Sequence, residues 1–126
     1  GYALVTRPDV FEVGIATAAS ENQYLYDCIY AERHMGLKED NFDGYIQSSI
    51  SAHAANLEGE LLLVHSLMDD NVHPQNTFHM VRAFLDAGKS VDLKIYPPGN
   101  HGVAYNMTTR ILLFKDYFTF LERHLK

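Results

Sequence analysis

Hydrophobic positions along the chain follow two rhythms. Val13-Gly14-Ile15-Ala16-Thr17-Ala18 and Leu61-Leu62-Leu63-Val64 are short, nearly continuous apolar runs. Runs of that length without alternation read as strands buried on both faces. They place one strand over 13–18 and a second over Glu60 to His65. Val91-Asp92-Leu93-Lys94-Ile95-Tyr96 alternates apolar with polar and predicts a third strand. Elsewhere the apolar positions recur every three or four residues, the period of a helix. Tyr26, Ile29, Tyr30 and Arg33 mark a helix from Tyr24 to Met35, with Gly36 placed to cap it. Phe78, Val81, Phe84 and Leu85 mark a helix over 74–87 that Gly88 ends. Leu113, Tyr117, Phe120, Leu121 and His124 mark a last helix from Arg110 to Lys126. Residues 2–7 read as a helix tail stopped by Pro8, and residues 37–56 as polar and irregular with one or two short helical turns.

Strand and helix alternate throughout, so the fold class is α/β with a mostly parallel sheet, because parallel strands need crossover connections and helices supply them. Three strands make a small sheet with open edges. That fits the C-terminal portion of a larger sheet better than a complete domain. The chain also opens on Gly1-Tyr2 rather than on an initiator methionine, and is expected to be a piece of something longer.

Composition narrows the field only slightly. With 126 residues, 47% of them hydrophobic, the chain can bury one ordinary core. No apolar run approaches the roughly 20 residues of a membrane span, and no charged-then-apolar signal segment opens it. The net charge of -6 comes from scattered acids and argues against a nucleic-acid surface. Cys28 stands alone, which excludes an internal disulfide and suggests a small buried apolar residue. Localisation stays open.

The chemistry lies at two strand ends. Asp69 follows the second strand by four residues, and His101 follows the third by five. In parallel α/β sheets ligands bind beyond the carboxyl ends of the strands. Neighbouring strands lie about 5 Å apart, so both loops open on one edge and the two side chains can meet. A carboxylate that holds a neutral imidazole in one tautomer, with the imidazole as base for a serine hydroxyl, is the logic of acyl transfer. The order acid then histidine matches the last two members of a Ser…Asp…His triad. Asp70 competes with Asp69. Asp69 is favoured, with Asp70 suited to capping the helix that begins near Pro74. His53, His65, His73, His79 and His124 show no metal-ligand spacing, so no metal and no cofactor is assigned. His65, in strand sequence, reads as a satisfied core residue. Asn106-Met107-Thr108 matches a glycosylation acceptor pattern, a motif that arises easily by chance.

The run Tyr26-Asp27-Cys28-Ile29-Tyr30-Ala31-Glu32-Arg33-His34-Met35-Gly36 closely resembles a segment of dipeptidyl peptidase IV-like enzymes, in the prolyl oligopeptidase family of serine peptidases. Met68-Asp69-Asp70-Asn71-Val72-His73 and Asn100-His101-Gly102 resemble that family's aspartate and histidine loops. The resemblance extends over essentially the whole chain. It implies the C-terminal part of an α/β-hydrolase domain, with Gly1-Tyr2 as the end of a Gly-x-Ser-x-Gly-Gly-Tyr elbow whose serine lies about three residues before Gly1. It further implies that Asp69 orients His101 as general base, that Tyr26, Tyr30 and Val72 line a pocket for proline, and that Asn71 holds a substrate carbonyl. The implied substrate is a peptide, the implied reaction is removal of N-terminal dipeptides, and a β-propeller usually precedes the domain. An isolated chain lacking the serine is expected to be inactive. Ser66 departs from the family's usual glycine, and Gln23 from its frequent tryptophan. An oligopeptidase or esterase, or a catalytically dead relative that binds, stand as alternatives. The apolar last helix is also a candidate homodimer surface.

Overall fold

The computed structural model describes residues 1–125. Helix α1 (Tyr2–Thr6) leads to β1 (Val13–Thr17). A single 3₁₀ turn at Gln23–Leu25, α2 (Cys28–Met35), α3 (Phe42–Gln47) and a second 3₁₀ segment at Ser51–Asn56 follow. Then come β2 (Glu60–Ser66), α4 (Gln75–Asp86), β3 (Asp92–Tyr96) and α5 (Met107–His124). The sheet has the order β1-β2-β3 and both pairings are parallel, with Ala16 opposite Leu63 and His65 opposite Ile95. β2 is the central strand, and six of its seven residues are buried, from Leu61 to Ser66, which explains why its sequence is a continuous apolar run rather than an alternating one.

Successive side chains of a strand point to opposite faces. Leu61 and Leu63 therefore face one layer, where they pack with Leu4, Val5, Ile50, Met80 and Phe84. Leu62 and Val64 face the other, with Tyr96, Val103, Leu113 and Phe120. The face of α5 expected to pack is the one that does: Leu113 and Phe120 are buried and Tyr117 lies against them. α5 begins three residues earlier than the apolar period suggested. Asn106 caps it, its Oδ1 accepting from the Thr109 backbone N–H at 2.8 Å while Thr109 Oγ1 accepts from the Asn106 N–H at 3.1 Å. The side-chain oxygen of the glycosylation-like Asn106 thus has a structural use.

Three expectations are corrected. The helix foreseen from Tyr24 is broken: Tyr26 is extended (φ -111°, ψ 169°), and α2 starts only at Cys28, where Asp27 caps it by accepting from the Tyr30 N–H at 2.8 Å. A short acid that offers its carboxylate to a backbone N–H favours a new helix start over continuation. In α4, Phe78 and Leu85 are exposed while Met80, Phe84 and Thr77 are buried. At 3.6 residues per turn Phe78 lies about 120° around the helix from Phe84, so the four do not share the packed face. Cys28 is exposed, in the first turn of α2, not buried. Gly36 and Gly88 end their helices as foreseen, with φ of 76° and 70°.

Candidate active site

β2 and β3 end side by side, and the loops beyond them are stitched together before any chemistry is considered. The Met68 N–H donates to the Gly99 carbonyl at 3.2 Å, and the Ser66 hydroxyl donates to the Asn100 carbonyl. Ser66, where the resembling family carries glycine, is fully buried and ties one loop to the other. The β3 loop turns tightly. Val103 donates its N–H to the Asn100 carbonyl at 2.8 Å and adopts φ 63° while fully buried. A β-branched residue in that region is strained, and such strain persists only where its surroundings over-determine it. Gly99 is needed there, because a Cβ would stand 1.8 Å from the Val103 carbonyl oxygen.

This scaffold brings Asp69 and His101 together. His101 Nδ1 lies 3.0 Å from Asp69 Oδ2. Asp69 is 3% exposed, and its other oxygen, Oδ1, accepts from the N–H groups of Asn71 at 3.0 Å and Val72 at 2.9 Å. Burial pushes the Asp69 carboxyl up, but the His101 hydrogen bond and the two backbone N–H donors outweigh it. The acid is held below its ordinary value. It is therefore a carboxylate at neutral pH, and as a pure acceptor it fixes the proton of His101 on Nδ1. His101 Nε2 is then the ring's free basic nitrogen. The His101 side chain is 44% exposed, open to a reacting group. Asp70, the competing acid, is exposed, and it does not cap α4, whose N-cap is Pro74 without a side-chain bond. Proline's fixed φ opens that helix without an acid.

The four residues assigned to a pocket sit nearby in two different ways. The Tyr26 hydroxyl donates to Asn71 Oδ1 at 3.0 Å, and the rings of Tyr26 and Tyr30 meet edge to face at 5.4 Å. Tyr30 is 52% exposed, so its face is presented rather than packed. Val72 is buried, and its backbone serves Asp69. Tyr26, before α2, and Asn71, after β2, are thus joined although 45 residues apart. Because Tyr26 already occupies Asn71 Oδ1, the Asn71 side-chain N–H₂ is turned to donate elsewhere.

Sequence reasoning missed the partners behind Asp69. His65 is fully buried on β2, with Nε2 2.8 Å from the Val72 carbonyl and 3.1 Å from Asp69 Oδ2, and Nδ1 2.7 Å from Thr77 Oγ1 on α4. The available signal was the four-residue spacing from His65 to Asp69 across a strand end. Another buried carboxylate, Glu21, holds the Ser51 N–H at 3.1 Å and lies 3.3 Å from His79 Nδ1, away from this cluster. Among the described residues no three His, Cys, Asp or Glu side chains converge as a metal site would require, and no helix is long and apolar enough to cross a membrane.

The model of the prolyl oligopeptidase family matches residues 1–126. The chain belongs to that family. It is 42% identical over 101 residues to dipeptidyl peptidase 4 of Sus scrofa, covering 78% of this chain and 13% of the pig protein. It is 35% identical over 113 residues to dipeptidyl aminopeptidase A of Saccharomyces cerevisiae, covering 87% of this chain and 12% of that protein. The crystal structure of Porphyromonas gingivalis dipeptidyl peptidase 4 superposes with a TM-score of 0.92 and 36% identity, over 98% of this chain and 17% of the solved one. The fold is that of the α/β-hydrolases, with the parallel sheet and flanking helices described above. The chain spans less than a fifth of the length of each of these relatives.

Proposed function

We propose that this chain is part of the catalytic domain of a serine peptidase that releases dipeptides from peptide N-termini, often after proline. The Asp69–His101 contact carries the reading: a buried, ionised carboxylate 3.0 Å from one nitrogen of a half-exposed imidazole, at the carboxyl ends of two parallel strands. His101 Nε2 takes the proton of a serine hydroxyl as it attacks the scissile carbonyl, and returns it to the leaving amine. Asp69 holds the tautomer and balances the imidazolium that forms. Tyr26 and Tyr30 offer aromatic faces to a flat proline ring, Val72 closes the wall behind them, and Asn71 donates to a substrate carbonyl. The names of the similar proteins, dipeptidyl peptidase 4 and dipeptidyl aminopeptidase A, favour dipeptide release over an oligopeptidase or esterase.

The serine lies in an elbow upstream of Gly1 on this reading, and a propeller precedes it. The isolated chain then has a base without a nucleophile. Purified alone it is expected to show no turnover of a Gly-Pro chromogenic substrate, and measurable hydrolysis would contradict the placement of the serine. In the full-length protein His101→Ala is expected to abolish that hydrolysis while leaving the melting temperature near wild type, since the side chain lies in a loop. A variant that keeps more than a tenth of the rate overturns the mechanism. α5 presents Met107, Ile111, Phe114 and Phe118 to solvent along one stripe, which supports a homodimer through this helix. Phe118→Glu is expected to shift the full-length protein toward monomer in sedimentation.

A further inference from the structure

We infer that His65 is a positioning residue for the reaction proposed above, a neutral Nε2–H imidazole that holds the Asp69 loop. The argument rests on that functional reading and begins with donor and acceptor accounting. Nε2 faces the Val72 carbonyl at 2.8 Å and the Asp69 carboxylate at 3.1 Å. Both are pure acceptors at neutral pH, so Nε2 must carry the proton. The shorter contact takes the N–H itself, and the carboxylate lies beside its positive end. Nδ1 then needs a donor, and Thr77 Oγ1 stands 2.7 Å away on the first turn of α4. The hydroxyl donates, and the ring is complete without a charge. Full burial of His65 disfavours a second ring proton.

The consequence is that one imidazole joins the acid to the pocket. Val72 accepts from His65 through its carbonyl and donates to Asp69 Oδ1 through its N–H, at 2.9 Å. The loop that carries Asp69, Asn71 and Val72 is closed from both sides around a single ring. A neutral His65 also leaves the negative charge of Asp69 to His101, where a cationic ring at the same place would compete for it. Among the described residues the titratable groups in reach are Asp69 and, through it, His101. α4 presents only the neutral Thr77 hydroxyl to this ring.

Three variants of the full-length protein decide the matter, read by kcat, KM and the pH profile with a Gly-Pro chromogenic substrate. His65→Leu removes the donor beside Asp69 and leaves more negative charge facing His101. That favours the imidazolium, so the acid limb of the kcat/KM profile is expected to move to higher pH, with kcat about tenfold lower. His65→Gln places an amide N–H near the Nε2 position and is expected to return the acid limb toward wild type and recover most of kcat. Thr77→Val keeps the shape of α4 but removes the donor to Nδ1. It is expected to move the acid limb in the same direction by less, and it decides the question where His65→Leu does not fold. A folded His65→Leu, or in its absence a folded Thr77→Val, with kcat and acid limb unchanged would overturn the inference. So would a His65→Gln variant no better than His65→Leu. Activity that survives His101→Ala refutes the peptidase reading itself. Activity lost in His101→Ala but indifferent to His65 and Thr77 refutes only the role given to His65.

Discussion

Replacing Asp69 with asparagine changes two atoms, and the structure says what each does. Asn Oδ1 can keep accepting from the Asn71 and Val72 N–H groups, now 3.0 and 2.9 Å from Asp69 Oδ1. The amide nitrogen then takes the place of Oδ2, 3.0 Å from His101 Nδ1 and 3.1 Å from His65 Nε2. Donor meets donor on both contacts. His101 relieves this by moving its proton to Nε2, so that Nδ1 accepts from the amide, and the nitrogen meant to act as base is blocked. The lost charge-assisted hydrogen bond to the imidazolium is worth about 1.5–3 kcal/mol, or about 10- to 150-fold in rate at 1.36 kcal/mol per decade. The wrong tautomer adds the rest of the roughly 10⁴-fold loss that such a change brings to a serine triad. The assay is kcat for a Gly-Pro chromogenic substrate with full-length Asp69→Asn, beside its thermal melt. The same substitution carries a stability signature. The Asp69 pKa is depressed in the folded state, so its contribution to stability is complete above the ordinary carboxylate value of about 3.9. That contribution is lost as pH falls from there through the folded value. Asp69→Asn is therefore expected to flatten the acid side of the melting-temperature profile. A well-folded variant that keeps more than a tenth of wild-type kcat would refute the tautomer argument.

The remaining predictions concern the pocket and the loop. Tyr30→Ala removes an exposed ring that stands edge to face against Tyr26, and is expected to lower kcat/KM for proline substrates about tenfold with little change in melting temperature. An unchanged specificity constant would remove Tyr30 from the pocket. Gly99→Ala places a methyl 1.8 Å from the Val103 carbonyl oxygen. It is expected to destabilise the His101 loop by roughly 2 kcal/mol or more and to lower activity with it. A variant with wild-type melting temperature and rate would show that the loop yields easily.

The central chemistry was legible because it depends on local rules. Leu61–Val64 is apolar without alternation, so it had to be a strand buried on both faces, and Val91–Tyr96 alternates, so it had to lie at an edge. Parallel strands put their following loops on one side, which placed Asp69 and His101 at the same rim. What the linear pattern left undecided is which faces are covered and which polar groups meet. Ile29 and Tyr30 follow a helical period, yet they are 86% and 52% exposed, because periodicity marks a face and only a neighbouring element can bury it. The split between Tyr26 and α2 turned on one hydrogen bond from Asp27. His65 looked like an ordinary core residue, since nothing in its surroundings along the chain names Thr77 or the Val72 carbonyl as its partners. The chain alone specified strands, their order and the residues at their ends. Packing β2 between α4 and the β3 loop decided which donors and acceptors close on one carboxylate, because hydrogen bonds are satisfied across space rather than along the chain.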